Sequence, residues 1–114
     1  MNLEPEIKQD IVTFEEIIKN IQDEQYTVYE RSHMIEFLAV FERNELISQL
    51  LLKLLNESVN DIFIESAAIA CLNHYNDEIC NKLKEITLSD DYNVSTKNTC
   101  EIILNNIDLL RNEI

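Results

Sequence analysis

The sequence predicts an all-α fold, and three observations predict it. The 114-residue chain has no glycine and one proline. Sheets and tight-turn folds lean on glycine for positive φ, so its absence favours helices joined by short polar turns. Apolar residues recur close to every 3.6 positions along most of the chain, the period of a helix buried on one face. A two-helix pattern also returns every 32 to 34 residues. That period marks an α-solenoid of about six helices in antiparallel pairs, a plain helical bundle being the alternative. The length suits one domain spanning 1–114.

Helix one is expected over 5–22, opening near Pro5 with Ile7, Ile11, Phe14, Ile18 and Ile21 as its stripe. Thr27 and Glu30 form a T-x-x-E capping box that starts helix two. Met34, Phe37, Leu38 and Phe41 make its buried face. Asn44 caps helix three, whose broad apolar side is Leu46, Ile47, Leu50, Leu51, Leu54 and Leu55.

Helix four follows NESVND and carries Ile64, Ala67, Ala68, Cys71, Leu72 and Tyr75 at helical spacing. Nearly every face from Ile62 to Leu72 is apolar or small, which makes this helix central. Asn76 or Asp77 caps helix five, with Ile79, Cys80, Leu83 and Ile86 inward. After the polar break TLSDDYNVS, Ser95 is the expected cap of helix six. Its inward residues are Cys100, Ile103, Leu104, Ile107, Leu110 and Ile114, and Asn105–Asn106 is a place where it would bend or split.

The repeat units read as about 27–58, 60–88 and 93–114. Leu46 aligns with Ile79 and Leu50 with Leu83, at an offset of 33; Leu72 aligns with Leu104 at 32. The stretch from Asn60 to Ile86 has an acidic start, alanines in its first helix and Asp at the turn. In these features it resembles a HEAT-type repeat, without that repeat's usual proline or the basic residue near its second helix.

Little in the chain suggests chemistry. With no glycine, neither a P-loop nor a GxGxxG loop nor a DxDxDG calcium loop is present. Cys71, His74 and Cys80 offer three metal-ligand types across one turn, but no second motif completes a tetrahedral set. The ordinary reading is scaffold: Cys71 as a small hydrophobe, and His74 at a helix C-terminus that favours positive charge. Ser32 and His33 are adjacent, so they face apart; His33 with Glu36 reads as a surface pair. Acid pairs such as Glu15–Glu16 and Asp77–Glu78 diverge on a helix surface rather than converging in a cleft. Neither catalysis nor a cofactor nor a metal is expected.

The charge speaks to partners. Twenty-two acids against nine bases give a net charge of −13, which opposes nucleic-acid binding and speeds encounter with a basic protein. No membrane contact is expected, since the longest apolar run is Ala67–Leu72. MNLEPEIKQD shows no secretory signal, and three widely spaced cysteines fit reduced thiols in the cytoplasm. Abundant Asn and Ile suggest an AT-rich bacterial genome.

Two segments stand out as partner-binding candidates: Asp23, Glu24, Tyr26, Tyr29 and Glu30 in DEQYTVYE, and Asp90, Asp91 and Tyr92 in SDDYNVS. Tyrosine supplies contact area and a hydroxyl, and the acids would meet Lys or Arg. In overall character the chain resembles the small acidic helical immunity proteins of bacterial polymorphic-toxin and contact-dependent growth-inhibition systems. That resemblance implies binding and neutralising a cognate toxin domain, a nuclease being the expected partner because its nucleic-acid cleft is basic. The alternative is a HEAT-like scaffold or adaptor holding a peptide or protein subunit. Acids spread over many helix faces, rather than in rows, argue against a mimic of nucleic acid. Homodimerisation stays open, since an uncovered apolar face at the end of so short a solenoid would favour it.

Overall fold

The computed structural model describes residues 15–112. Residues 15–21 are helical (α1); Pro5, Ile7, Ile11 and Phe14 of the expected first helix lie outside the described residues, as does Ile114. Then come α2 (Val28–Phe37), a 3₁₀ turn (Leu38–Val40), α3 (Glu45–Glu57), α4 (Asp61–Cys71), α5 (Asp77–Leu88) and α6 (Val94–Asn112). The fold is all-α, with no strand and no positive φ among the described residues.

Polar side chains start the helices. At α2 the Glu30 amide donates to Thr27 Oγ1 at 3.1 Å, and the Thr27 amide donates to Glu30 Oε1 at 3.0 Å. The Thr27 amide, and after it the Thr27 hydroxyl, hold the Glu30 carboxyl below its usual range. Asn44, Asn60 and Asn76 each accept first-turn amides through Oδ1, from Leu46, Ile62 and Ile79 respectively. Asn93, not Ser95, starts α6: its Oδ1 accepts from the Thr96 amide at 2.8 Å and the Thr96 hydroxyl at 2.9 Å. Ser95 is already inside the helix and donates instead to Glu65 at 2.6 Å. Nor does Asn105–Asn106 split α6, which runs unbroken; Asn106 donates back to the Ile102 carbonyl at 2.9 Å.

These caps set the true repeat register. Thr27, Asn60 and Asn93 follow one another at 33 residues, while Asn44 and Asn76 are 32 apart. Ile47 therefore corresponds to Ile79 and Leu51 to Leu83, and all four are fully buried. Leu46, the expected partner of Ile79, sits on the first turn of α3 and is 61% exposed. By the same cap register Cys71, rather than Leu72, matches Leu104.

Side-chain contacts orient the helices. Arg31 in the first turns of α2 lies 4.7 Å over the Phe63 ring in the first turn of α4. Asn93 before α6 donates to Asp61 at the start of α4. So α2, α4 and α6 run side by side with their N-termini at one edge. Behind them α3 packs on α5, with their N-termini meeting at the opposite edge, where Arg43 reaches Tyr75. Helix α3 packs on α4 and α5 on α6, so the close helix pairs are offset by one helix from the sequence units. The extents of 51 × 40 × 18 Å fit a slab two helices thick, given interaxial distances of about 8–10 Å.

The core lies between the layers. Ile35, Leu38, Ile47, Leu51, Leu55, Ile64, Ala67, Ala68, Cys71, Leu83 and Ile107 are buried in it. Alanines on α4 let its neighbours approach closely, as its central place requires. Ser32 and Ile35 of α2 and Leu38 of the 3₁₀ turn are buried, Met34 and Phe41 are half-buried against the core, and Phe37 alone of the expected face turns outward. Phe37 is 49% exposed, because the 3₁₀ turn tightens the chain after it and shifts the inward direction to Leu38. Leu72 and Leu110, near the C-terminal ends of α4 and α6, are partly exposed, at 36% and 42%.

On α6 the burial pattern of the preceding repeats changes. Counting 33 residues per repeat, Ile35 and Ala68 are buried, whereas their successor Glu101 is exposed. Ile102 and Leu109 of the same helix are exposed as well, at 58% and 62%.

Candidate functional site

Three helix N-termini share one edge, and the turns before them carry both sequence-predicted segments. Residues 22–27 lead into α2, 58–60 into α4 and 89–93 into α6. Asp23, Glu24 and Tyr26 fall in the first turn; Tyr29 and Glu30 are in the opening turn of α2; Asp90, Asp91 and Tyr92 fall in the third. The two segments are thus on one side of the slab, at either end of a row.

The middle of that row was not anticipated. The residue before each cap is Tyr26, Val59 and Tyr92, again 33 apart. Val59 is fully solvent-exposed, at 101%, while the two tyrosines are half-buried. The signal was present as repeat spacing, but Val59 has no polar or aromatic group to draw notice. Tyr29, 70% exposed, is the most accessible of the tyrosines.

The acids here have local duties as well as free surface. Asp23 Oδ1 accepts the Gln25 amide at 2.9 Å, which shapes the turn. Asp90, fully exposed, lies 3.7 Å from Lys97. Asp61 and Glu30 stand at the positive ends of helix dipoles, where carboxylates are favoured. The arrangement offers aromatic and aliphatic area ringed by carboxylates, suited to holding basic side chains.

The opposite edge is built differently. The turn segment Asn73, His74 and Tyr75 grips the α2–α3 turn. Asn73 Nδ2 donates to the carbonyls of Ala39 at 2.8 Å and Phe41 at 2.7 Å. The His74 ring, 0% exposed, lies between the Leu38 carbonyl and the Asn44 amide. Burial holds its pKa below 6.5. His74 is therefore a neutral, buried linker, not a cation at a helix end. Arg43 stacks 4.3 Å over the Tyr75 ring and donates to its carbonyl at 2.5 Å.

An open groove of about 470 Å³ lies on this edge, lined by Arg43, Tyr75, Asn76, Asp77 and Arg111. Arg111 donates to Asp77 Oδ1 at 2.6 Å and to Cys80 Sγ at 3.4 Å. Asp77 is well exposed, so this ion pair adds little stability.

The three metal-ligand candidates have separate occupations. Both His74 nitrogens are engaged by backbone, Cys71 is buried in the core, and Cys80 faces Arg111. Burial raises all three thiols; Cys100 is pushed up to about 11, with Glu65 adding to the effect. Among the described residues no three His, Cys, Asp or Glu side chains gather as a metal site. His33 Nδ1 stands 3.8 Å from Glu36 on the surface. No described helix is long and apolar enough to cross a membrane. No protein-family model, no curated protein and no solved structure matches the chain.

Proposed function

We propose that this chain is a non-catalytic acidic binding protein, a bacterial immunity protein that captures and neutralises a toxin domain, with a basic nuclease as the partner. The observation that carries the reading is the single edge on which Tyr26, Tyr29, Val59 and Tyr92 stand among Asp23, Glu24, Glu30, Asp61, Asp90 and Asp91. Aromatic anchors within a ring of carboxylates suit a cleft that binds nucleic acid, because that cleft presents Lys and Arg. The net charge of −13 adds long-range attraction to a basic partner and keeps the chain itself off nucleic acid.

Co-expression with a toxin encoded immediately upstream tests this directly. Protection of the cell and co-purification of a stable complex are expected. Neither protection nor binding would end the immunity reading.

A second reading, a repeat scaffold or adaptor, draws on the groove at the opposite edge. Arg and Tyr are common interface anchors, and Arg43, Tyr75 and Arg111 are collected there. Co-purification from the native host with a subunit of an assembly, in place of a toxin, would favour it.

A further inference from the structure

His74 joins two turns through a fully buried ring, 0% exposed. Its Nε2–H donates to the Leu38 carbonyl at 2.8 Å, and its Nδ1 accepts the Asn44 backbone amide at 3.3 Å. A backbone N–H only donates, so Nδ1 must be unprotonated and the ring must be the neutral Nε2–H form. The His74 carbonyl in turn accepts from Ser48 Oγ at 3.0 Å. Asn44 is the cap of α3, and Arg43 beside it is pinned to Tyr75. One ring therefore stands at the centre of the join between the α2–α3 and α4–α5 turns.

We propose that His74 is an acid-sensitive latch: a proton taken from solvent onto Nδ1 breaks the bond from the Asn44 amide and frees the α2–α3 turn from the α4–α5 turn. Protonation sets N–H against N–H and places a charge in a site closed to water, leaving the Asn44 amide without an acceptor. The charged neighbour acting on the ring is Arg43, from the α2–α3 turn, and it repels the imidazolium. Helix α3 presents the neutral Ser48 hydroxyl, α4 contributes the Cys71 carbonyl to the His74 amide, and Asp77 of α5 is held by Arg111.

Burial is the largest cause of the lowered pKa; the Leu38 carbonyl opposes it, and Arg43 adds to it. A base kept neutral in the fold but free to protonate when unfolded stabilises the fold above its ordinary pKa of 6.5. That contribution is lost as the pH falls below this value. The structural consequence reaches past stability, because Arg43, Tyr75 and Asn76 line the groove and would be released with the turn.

The test is nuclear magnetic resonance of the ¹⁵N-labelled wild-type chain, titrated from about pH 7.5 to about pH 5, across the range where imidazoles take up protons. The His74 ring nitrogens and the exchange protection of the Asn44 amide are followed together, with the Ile64 and Leu83 amides as core references. As His74 protonates, Asn44 is expected to lose protection by about tenfold or more while the references hold, the mark of local opening. Arg43→Gln removes the repelling charge and should raise the His74 midpoint. Full protection at Asn44 while His74 titrates would overturn the latch, as would titration of His74 only alongside loss of Ile64 and Leu83 protection. An Arg43→Gln midpoint at or below the wild-type value would contradict the role given to that guanidinium.

Discussion

Asn73 donates its side-chain amide to the carbonyl of Phe41, 32 residues earlier, at 2.7 Å. One repeat length separates the two, and the bond ties successive turns of the stack together. The same amide group also serves Ala39. Asn73→Ala removes both bonds from a site that water can reach, so the expected loss is about 1 kcal/mol in urea unfolding. Asn73→Asp should destabilise more than Ala, since a carboxylate would face two carbonyls. The reverse order would mean that the amide is not what holds the turn.

The start of α6 separates two readings of the chain. The Asn93 side chain accepts two hydrogen bonds from Thr96, whereas Ser95 points to Glu65. Asn93→Ala is expected to cost about 0.5–2 kcal/mol, as for lost caps in general. Ser95→Ala should fall within about 0.5 kcal/mol of wild type, as exposed substitutions usually do. Paired thermal melts check the order.

The thiols should react in an order set by burial. Cys71 and Cys100 are wholly enclosed, while Cys80 reaches the rim beside Arg111. An aromatic disulfide reagent at neutral pH is expected to modify Cys80 first, and the other two only at the rate of opening or unfolding. Cys71→Ser should destabilise by about 1–3 kcal/mol, through a hydroxyl placed in the fully buried apolar core. Cys71 labelling ahead of Cys80 would contradict the packing described.

Much of the fold was legible because helix period and capping are local. Thr27 with Glu30, Asn44 and Asn76 act as their sequence positions imply, and α4 is central for the reason its small apolar residues give. What failed was set by tertiary partners. Leu46 keeps helical spacing but sits a turn too early to meet α5, and Phe37 lies just before a 3₁₀ turn that nothing apolar announces.

The second edge was hidden for the same reason. Asn73, His74 and Tyr75 bond to groups 30 to 36 residues away, and most of those are backbone carbonyls and amides that carry no residue-type signal. The acidic, tyrosine-bearing segments were readable from composition. That they share an edge followed only from the parallel stacking of α2, α4 and α6.

The central claim is that this shared edge binds a basic protein. The most direct measurement is the affinity, by titration calorimetry, of wild type and Tyr29→Ala for the toxin domain encoded beside the gene. Tyr29 is 70% exposed, so its removal should leave the melting temperature close to wild type. As an interface anchor it should weaken binding by about 2 kcal/mol or more, roughly thirtyfold in Kd. Equal affinity for Tyr29→Ala, Tyr26→Ala and Tyr92→Ala alike would contradict the account and move the partner to another face.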